Sequence, residues 1–287
     1  MSGKTKGTLL MALCAAMWST GGVLTKLIPW NSMTIAGFRS LIAAAIIGLF
    51  MLASHKKMCI NRRSLAISIA LAGMAFCYIS ATKFTTAANA ITLQYTAPVF
   101  LLLYQALFQH KKLRVPDYLV VFVALGGIAL FFLDQLGGGT LLGNCIAVVS
   151  GLFYAGYFLT TGEVEENTSF SGLFMGNVLA AVIGVPTMFL FDTPFTQQSV
   201  IGILALGIVQ LGLSYVVYAF AARTCPPLSC ALLSALEVLL NPVWVFFTLG
   251  ERPGPTALLG GAVVIIGVTL WTIWDGRQTA VSAVPEK

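Results

Sequence analysis

Charge is what this sequence has least of. Among 287 residues only 9% are Asp, Glu, Lys or Arg, while 58% are hydrophobic. A soluble domain carries roughly 25% charged residues, so a water-soluble surface cannot be built from this chain, and lipid must be the solvent for most of it. Histidine is nearly absent too. His55 and His110 both sit among basic loop residues, and no H-E-x-x-H occurs. A membrane enzyme, the rival reading from another class, needs paired acids, metal ligands or a nucleophile with its base, and nothing of that kind assembles. The six cysteines, Cys14, Cys59, Cys77, Cys145, Cys225 and Cys230, contain no C-x-x-C pair and mostly lie in apolar runs. They read as small apolar fillers rather than a disulfide framework or metal site, and no cofactor is expected. Strict alternation of apolar and polar residues is missing as well, which argues against a β-barrel.

Present instead are ten apolar runs, close to 7–27, 33–53, 64–83, 88–108, 118–133, 140–160, 171–191, 200–222, 229–249 and 256–274. A helix needs about 20 such residues to cross a bilayer core. The connections are short and carry breakers: Pro29, Pro116, Gly137-Gly138-Gly139, Pro194, Pro226-Pro227 and Pro253-Gly254-Pro255. The expected fold is an all-α integral membrane bundle. The first run, with Lys4 and Lys6 ahead of it, is too long for a signal peptide, contains Trp18 and Lys26 and lacks a small-residue cleavage site, so it reads as a retained helix.

Lys and Arg set the orientation. With the N-terminus inside, Lys4, Lys6, Lys56, Lys57, Arg62, Arg63, Lys111, Lys112, Arg114, Arg252, Arg277 and Lys287 are assigned to the cytoplasm, and Lys26, Lys83 and Arg223 to the outside, twelve against three. Both termini are therefore expected in the cytoplasm, in a plasma or inner membrane. The net charge of +6 is then a topology signal facing anionic lipid rather than a nucleic-acid patch. One loop dissents: Glu163, Glu165 and Glu166 fall on the cytoplasmic side with no Lys or Arg nearby in sequence.

The chain also repeats itself. At an offset of 140, Tyr78 meets Tyr218, Ala81 meets Ala221, Lys83 meets Arg223, Leu93 meets Leu233, Gly127 meets Gly267 and Leu130 meets Leu270. Gly7-Thr8-Leu9-Leu10 resembles Gly139-Thr140-Leu141-Leu142 at a slightly different offset. The expected division is 1–134 and 139–275, five helices each, with 276–287 as a cytoplasmic tail. Five is odd, so the second half must insert upside down. Inverted repeats are the architecture of many secondary transporters, with the substrate site between the halves near the midplane.

Particular stretches resemble a known family. Trp18-Ser19-Thr20-Gly21-Gly22 through Lys26 is similar to the first-helix pattern of the drug/metabolite transporter superfamily, specifically its EamA-type permeases. Arg39-Ser40-Leu41-Ile42-Ala43 resembles the second-helix pattern, with Ser40 in place of an aromatic. Leu236-Glu237-Val238 resembles the ninth-helix Leu-Glu-Pro, with Val238 in the proline's place, and Leu249-Gly250-Glu251-Arg252 resembles the segment before the last helix. Gly260-Gly261 and Gly267 resemble the last helix's small-residue pattern. The resemblance covers nearly the whole chain and implies export of metabolites, amino acids or drugs.

Glu237 is the sharpest candidate, because a lone carboxylate in a membrane span should face a cavity, meet a partner or be protonated. It binds a proton or a substrate amine, or else bonds a neighbouring helix. Ser234, Glu237, Asn241, Trp244 and Thr248 share one helical face; so do Gln210, Ser214, Tyr218 and Ala221. Asn89, Thr92 and Thr96 form a third stripe, with Gln94, Tyr95 and Gln105 beside it. Such stripes line cavities or glue helices together. Trp18, Tyr78, Tyr154, Tyr157 and Tyr218 are candidate pocket aromatics that stack on a cation or ring, or interfacial belts. Arg39 is assigned a structural intramembrane charge. Counted from the outer helix ends, it lies about 9 Å deep and Glu237 about 12 Å, which allows them to pair. Lys26, Lys83 and Arg223 read as end-of-helix anchors. Pro98 and Pro242 permit kinks.

The expected protein is a permease exporting small metabolites, amino acids or similar polar solutes, by alternating access. A multidrug efflux pump is the alternative within the class. The partners expected are a small-molecule substrate, membrane lipid and possible coupling protons, with no nucleic acid, in a monomer or homodimer.

Overall fold

The computed structural model describes residues 3–110, 113–133, 140–161, 164–221, 224–225, 233–252 and 254–282. Lys111, Lys112, Gln135, Gly137 to Gly139, Glu163, Arg223, Pro226, Pro227, Cys230, Pro253 and Lys287 lie outside those residues.

The described residues are helical, with no strand among them. In chain order they form α1 (Gly3–Ser19), α2 (Gly21–Leu27), α3 (Ser32–Ala53), α4 (Arg62–Phe84), α5 (Ala87–Gln94), α6 (Ala97–Leu107), α7 (Val115–Leu133), α8 (Leu141–Thr161), α9 (Glu166–Gly184), α10 (Gln197–Ala205), α11 (Ser214–Ala221), α12 (Leu236–Leu249) and α13 (Pro255–Ser282). A 3-10 turn, Val185–Phe189, extends α9, and a π-helical stretch, Leu206–Leu213, joins α10 to α11. Joined end to end, these make ten rods. Eight are long and apolar enough to cross a bilayer, among them Thr5–Leu27, Ala87–Leu107 and Gln197–Ala221; Val115–Leu130 and Leu236–Leu249 are shorter apolar helices. Leu52, Leu190 and Phe122 point outward with most of their surface open, as side chains solvated by lipid do.

Local chemistry sets the boundaries. Asn31 accepts from the Met33 N–H at the start of α3, Asn61 and Ser64 cap α4 reciprocally, and Thr86 accepts from the Asn89 N–H at the start of α5. Pro98 cannot donate a backbone bond to the carbonyl four residues back, and the fourth rod breaks at Tyr95-Thr96, just ahead of it. The ninth rod breaks at the equivalent place, Ala235, although Val238 stands where Pro98 stands in the first half. Pro242 lies inside α12 without ending it.

The packing is two-fold. The rod α4 lies on α8, and α10 to α11 lies on α1 to α2 in the corresponding way; α3 packs on α9 and α7 on α13, each pair across the pseudo-axis. Small residues mediate these crossings, as they do where hydrophobic burial gives no net drive between helices. A Cβ on Gly7 would meet Thr224 Oγ1 at 2.5 Å, and one on Gly143 would meet Thr85 Cβ at 2.7 Å, the matching contact of the other half. Gly127 fits against Val264, and Gly267 against Val123.

The charge assignment needs one correction. Counting rods, Arg252 follows α12 at the same end as Lys26, and the Glu251 beside it is ion-paired with Lys26 at 2.7 Å. Arg252 therefore belongs with Lys26 and Lys83. Arg223 itself lies outside the described residues, but its neighbour Thr224 packs against Gly7 at the N-terminal end. The two exchange sides, so the imbalance keeps its size. The dissenting acidic loop is matched in space, because Lys56 Nζ lies 2.5 Å from Glu166 Oε2.

Candidate functional site

A cavity of about 560 Å³ lies between the halves. Its mouth is formed where α8 ends (Thr161), α9 begins (Ser169) and α11 has just ended (Cys225), all at the end of the bundle that carries the N-terminus. Its blind end is formed by Arg39, Tyr78, Ile91 and Gln210. Aromatic residues make much of the wall: Trp18 from α1, Tyr95 beyond α5, Tyr154 and Tyr157 from α8, and Tyr215 and Tyr218 from α11. Trp18 lies 5.7 Å from Tyr218, centroid to centroid.

Glu237 lines this cavity. It occupies the first turn of α12, immediately after the break at Ala235, where unpaired N–H groups and the helix dipole favour negative charge. Among the described residues its carboxylate has no ion-pair partner. Ser234 lines the cavity one turn earlier, its hydroxyl 2.8 Å from that of Tyr95, so the two broken rods touch at their breaks. Gln94 lines the wall and donates to Ser150 Oγ at 2.9 Å. Gln210 lies in the π-helical stretch, a distortion that often marks functional positions. Its Oε1 accepts from Arg39 Nη1 at 3.3 Å.

Of the residues singled out in the sequence, Trp18, Arg39, Tyr78, Gln94, Tyr95, Pro98, Tyr154, Tyr157, Gln210, Tyr218, Ser234 and Glu237 line the cavity. Several others stand elsewhere. Asn89 is buried, donating to Thr85 Oγ1 and Asn144 Oδ1, both at 3.3 Å, and so glues α5 to α8. Thr92 is buried in α5 away from the cavity. Asn241 lies beneath the floor, donating to the Tyr78 hydroxyl at 3.2 Å and touching Gly22. Trp244 donates to Ser19 Oγ at 2.8 Å and ties α12 to α1. Arg39 and Glu237 do not pair. Because α12 runs toward the Lys26 end, Glu237 lies about 18 Å from that end and Arg39 about 10 Å. The matching depth expected from sequence counted Glu237 from the wrong side.

The end beyond the blind floor is tied shut. Lys26 Nζ bonds Glu251 and donates to the Thr85 carbonyl at 2.8 Å. The Ala87 N–H donates to Glu251 Oε1 at 2.6 Å, and Lys83 Nζ donates to the Ile28 carbonyl. Gly37 and Gly184 place α3 and α9 backbone against backbone. Lys26 and Lys83 are therefore ties between helices rather than anchors in lipid. Sequence reasoning missed this cluster. Its one available signal was Glu251, an acid just past a helix end where Gly250 takes φ 67°.

The sequence matches the EamA-like transporter family twice, over residues 5–133 and 141–273. It is similar to an uncharacterized transporter of Archaeoglobus fulgidus, 26% identical, over 93% of this chain and 98% of that one. It is also similar to the pseudopaline exporter of Pseudomonas aeruginosa, 22% identical over 91% of this chain and 94% of the relative. A solved crystal structure shares the fold with a TM-score of 0.63 and 19% identity, covering 96% of this chain and 99% of that chain.

Proposed function

The chain belongs to the EamA-like transporter family, and on that premise we propose that it exports small amino-acid-like metabolites from the cytoplasm by alternating access, with Glu237 binding the substrate ammonium group. The carrying observation is a carboxylate with no ion-pair partner among the described residues, at a helix break inside a cavity that is open at one end and tied shut at the other. A site of that form takes up solute from one side only, and rocking of the two halves would present it to the other. The basic excess of the loops assigns the open end to the cytoplasm, so the described state is the loading state for export. The similarity to a pseudopaline exporter agrees with that direction. The cell membrane is the expected location.

The test is uptake into inside-out vesicles or liposomes across a panel of amino acids and amines, with and without a pH gradient. Glu237→Gln keeps size and hydrogen-bonding capacity but removes the charge. Transport is expected to fall at least tenfold, about 1.4 kcal/mol or more, at unchanged membrane expression. If Glu237 carries a proton instead, the residual pH dependence flattens as well. Full, pH-dependent transport by this variant would show that the carboxyl is structural.

A further inference from the structure

We propose that the blind end of the cavity is a carboxylate subsite, with Arg39 as the residue that reads the carboxylate of a zwitterionic solute whose ammonium group faces Glu237. The proposal rests on the transport reading and narrows its substrate class.

Arg39 is 3% exposed and lines the cavity on the side away from its mouth. A guanidinium has five N–H donors and no acceptor. Here one of them reaches a neutral amide, Gln210 Oε1, at the long distance of 3.3 Å. Nε is buried with no partner. Among the described residues no carboxylate stands within ion-pair distance of it. Lys26, the half-buried cation at the closed end, is by contrast ion-paired with Glu251 at 2.7 Å. An uncompensated cation inside a membrane protein is expensive, so a site that keeps one facing a cavity is built for an anion that comes and goes. The planar fork of Arg matches the two oxygens of a carboxylate.

The surroundings hold the fork in place. Gln210 is set by the π-helical stretch and rests on Gly21, where a Cβ would stand 3.1 Å from Gln210 Nε2. It is a positioning residue. The Tyr78 hydroxyl accepts from Asn241, which leaves its own O–H as a second donor at the blind end. Glu237 stands roughly 8 Å nearer the mouth by helix rise. A guanidinium at the floor and a carboxyl above it, which form no direct ion pair among the described residues, match a solute carrying both charges in the opposite order. Two long side chains with a small zwitterion between them fill that separation.

The experiment uses the full-length protein in liposomes and counterflow of three matched probe sets: L-amino acids, their C-terminal amides and the corresponding decarboxylated amines. The wild type is expected to carry at least one amino acid, and to carry its amide and amine at least tenfold more slowly. In Arg39→Gln the amino acid should fall at least tenfold while the amide changes less than twofold, so that discrimination collapses. Arg39→Lys retains a buried cation and guards against misfolding; it should raise the KM for the amino acid at least fivefold and leave that of the amide unchanged. Equal carriage of acid and amide by the wild type, or preserved discrimination in the Arg39 variants, overturns the subsite. Carriage of amines alone, lost in Glu237→Gln, also overturns it but leaves the transport reading standing. Carriage of none of the three sets overturns the transport reading itself.

Discussion

The two ends of the bundle are built from the same repeat and behave differently. At the Lys26 end the helices meet backbone on backbone at Gly37 and Gly184, and the gaps are crossed by Lys26–Glu251, Lys26 to Thr85, Lys83 to Ile28 and Trp30 Nε1 to the Pro194 carbonyl at 2.8 Å. At the other end the helix termini stand around the cavity mouth, and the described ties lie to one side of it, joining the segment before α4 to α9 through Lys56–Glu166, the Cys59 N–H to Ser171 and Asn61 to Thr168. Symmetric sequence therefore folds into an asymmetric object. In an inverted repeat the same helix positions face opposite sides, so tight packing of one set at one end leaves the other set open. Tyr78 and Tyr218 show this at the scale of one residue. They coincide in the repeat, yet Tyr78 is 5% exposed at the cavity floor and Tyr218 is 39% exposed toward the mouth.

The comparison can be broken most severely at Gly37. Any larger side chain there strikes the Gly184 backbone, which cannot yield as a flexible side chain would. Gly37→Leu is expected to cost about 3 kcal/mol and to remove most of the folded protein, read as loss of a monodisperse peak in detergent. A leucine tolerated without change would mean that the closed end is not closely packed.

A smaller effect should follow from removing the ion pair while keeping the packing. Lys26 and Glu251 are each about one-fifth exposed, so the pair is worth about 1 kcal/mol, and its backbone bonds add a comparable amount. In Lys26→Met with Glu251→Gln, the closed end should open about thirtyfold more often. The readout is labelling of Ser234→Cys, in a background with the native cysteines replaced by Ala, by an impermeant maleimide. Reaction from the mouth side should be fast in either form, and reaction from the sealed side should rise only when the tie is removed. Equal rates from the sealed side with and without the tie would remove it from the gate.

The mouth should respond least. Lys56→Gln breaks a half-exposed pair and is expected to change stability by less than about 0.5 kcal/mol, with transport unaltered, measured by thermal melting and vesicle uptake. A large loss would mean that this end also closes through Lys56.

Much of this was legible along the chain, and the parts that were not share one cause. The helices, the repeat and Glu237 could be read because a bilayer penalises every unpaired backbone group and every lone charge, so apolar length and a solitary acid speak for themselves. Periodicity also picked out polar faces, but it gives a face and not a neighbour. Ser234 and Asn241 share one face of the ninth rod. Ser234 borders the cavity, while Asn241 disappears beneath Tyr78. Asn89 looked as suitable as Gln94, and bonds Asn144 instead.

The sequence by itself determined that this is a helical membrane protein built from two repeats, with the acid Glu237 set within an apolar run, because those properties follow from local composition and length. Only the tertiary structure decided which polar residues meet in the cavity, that Lys26 and Glu251 close one end, and that Arg39 lines the cavity with no ion-pair partner among the described residues. The contacts that carry these features join residues 171 to 225 positions apart in the chain. Such contacts depend on how the rods cross, and the crossings are set by where a glycine lets two backbones touch.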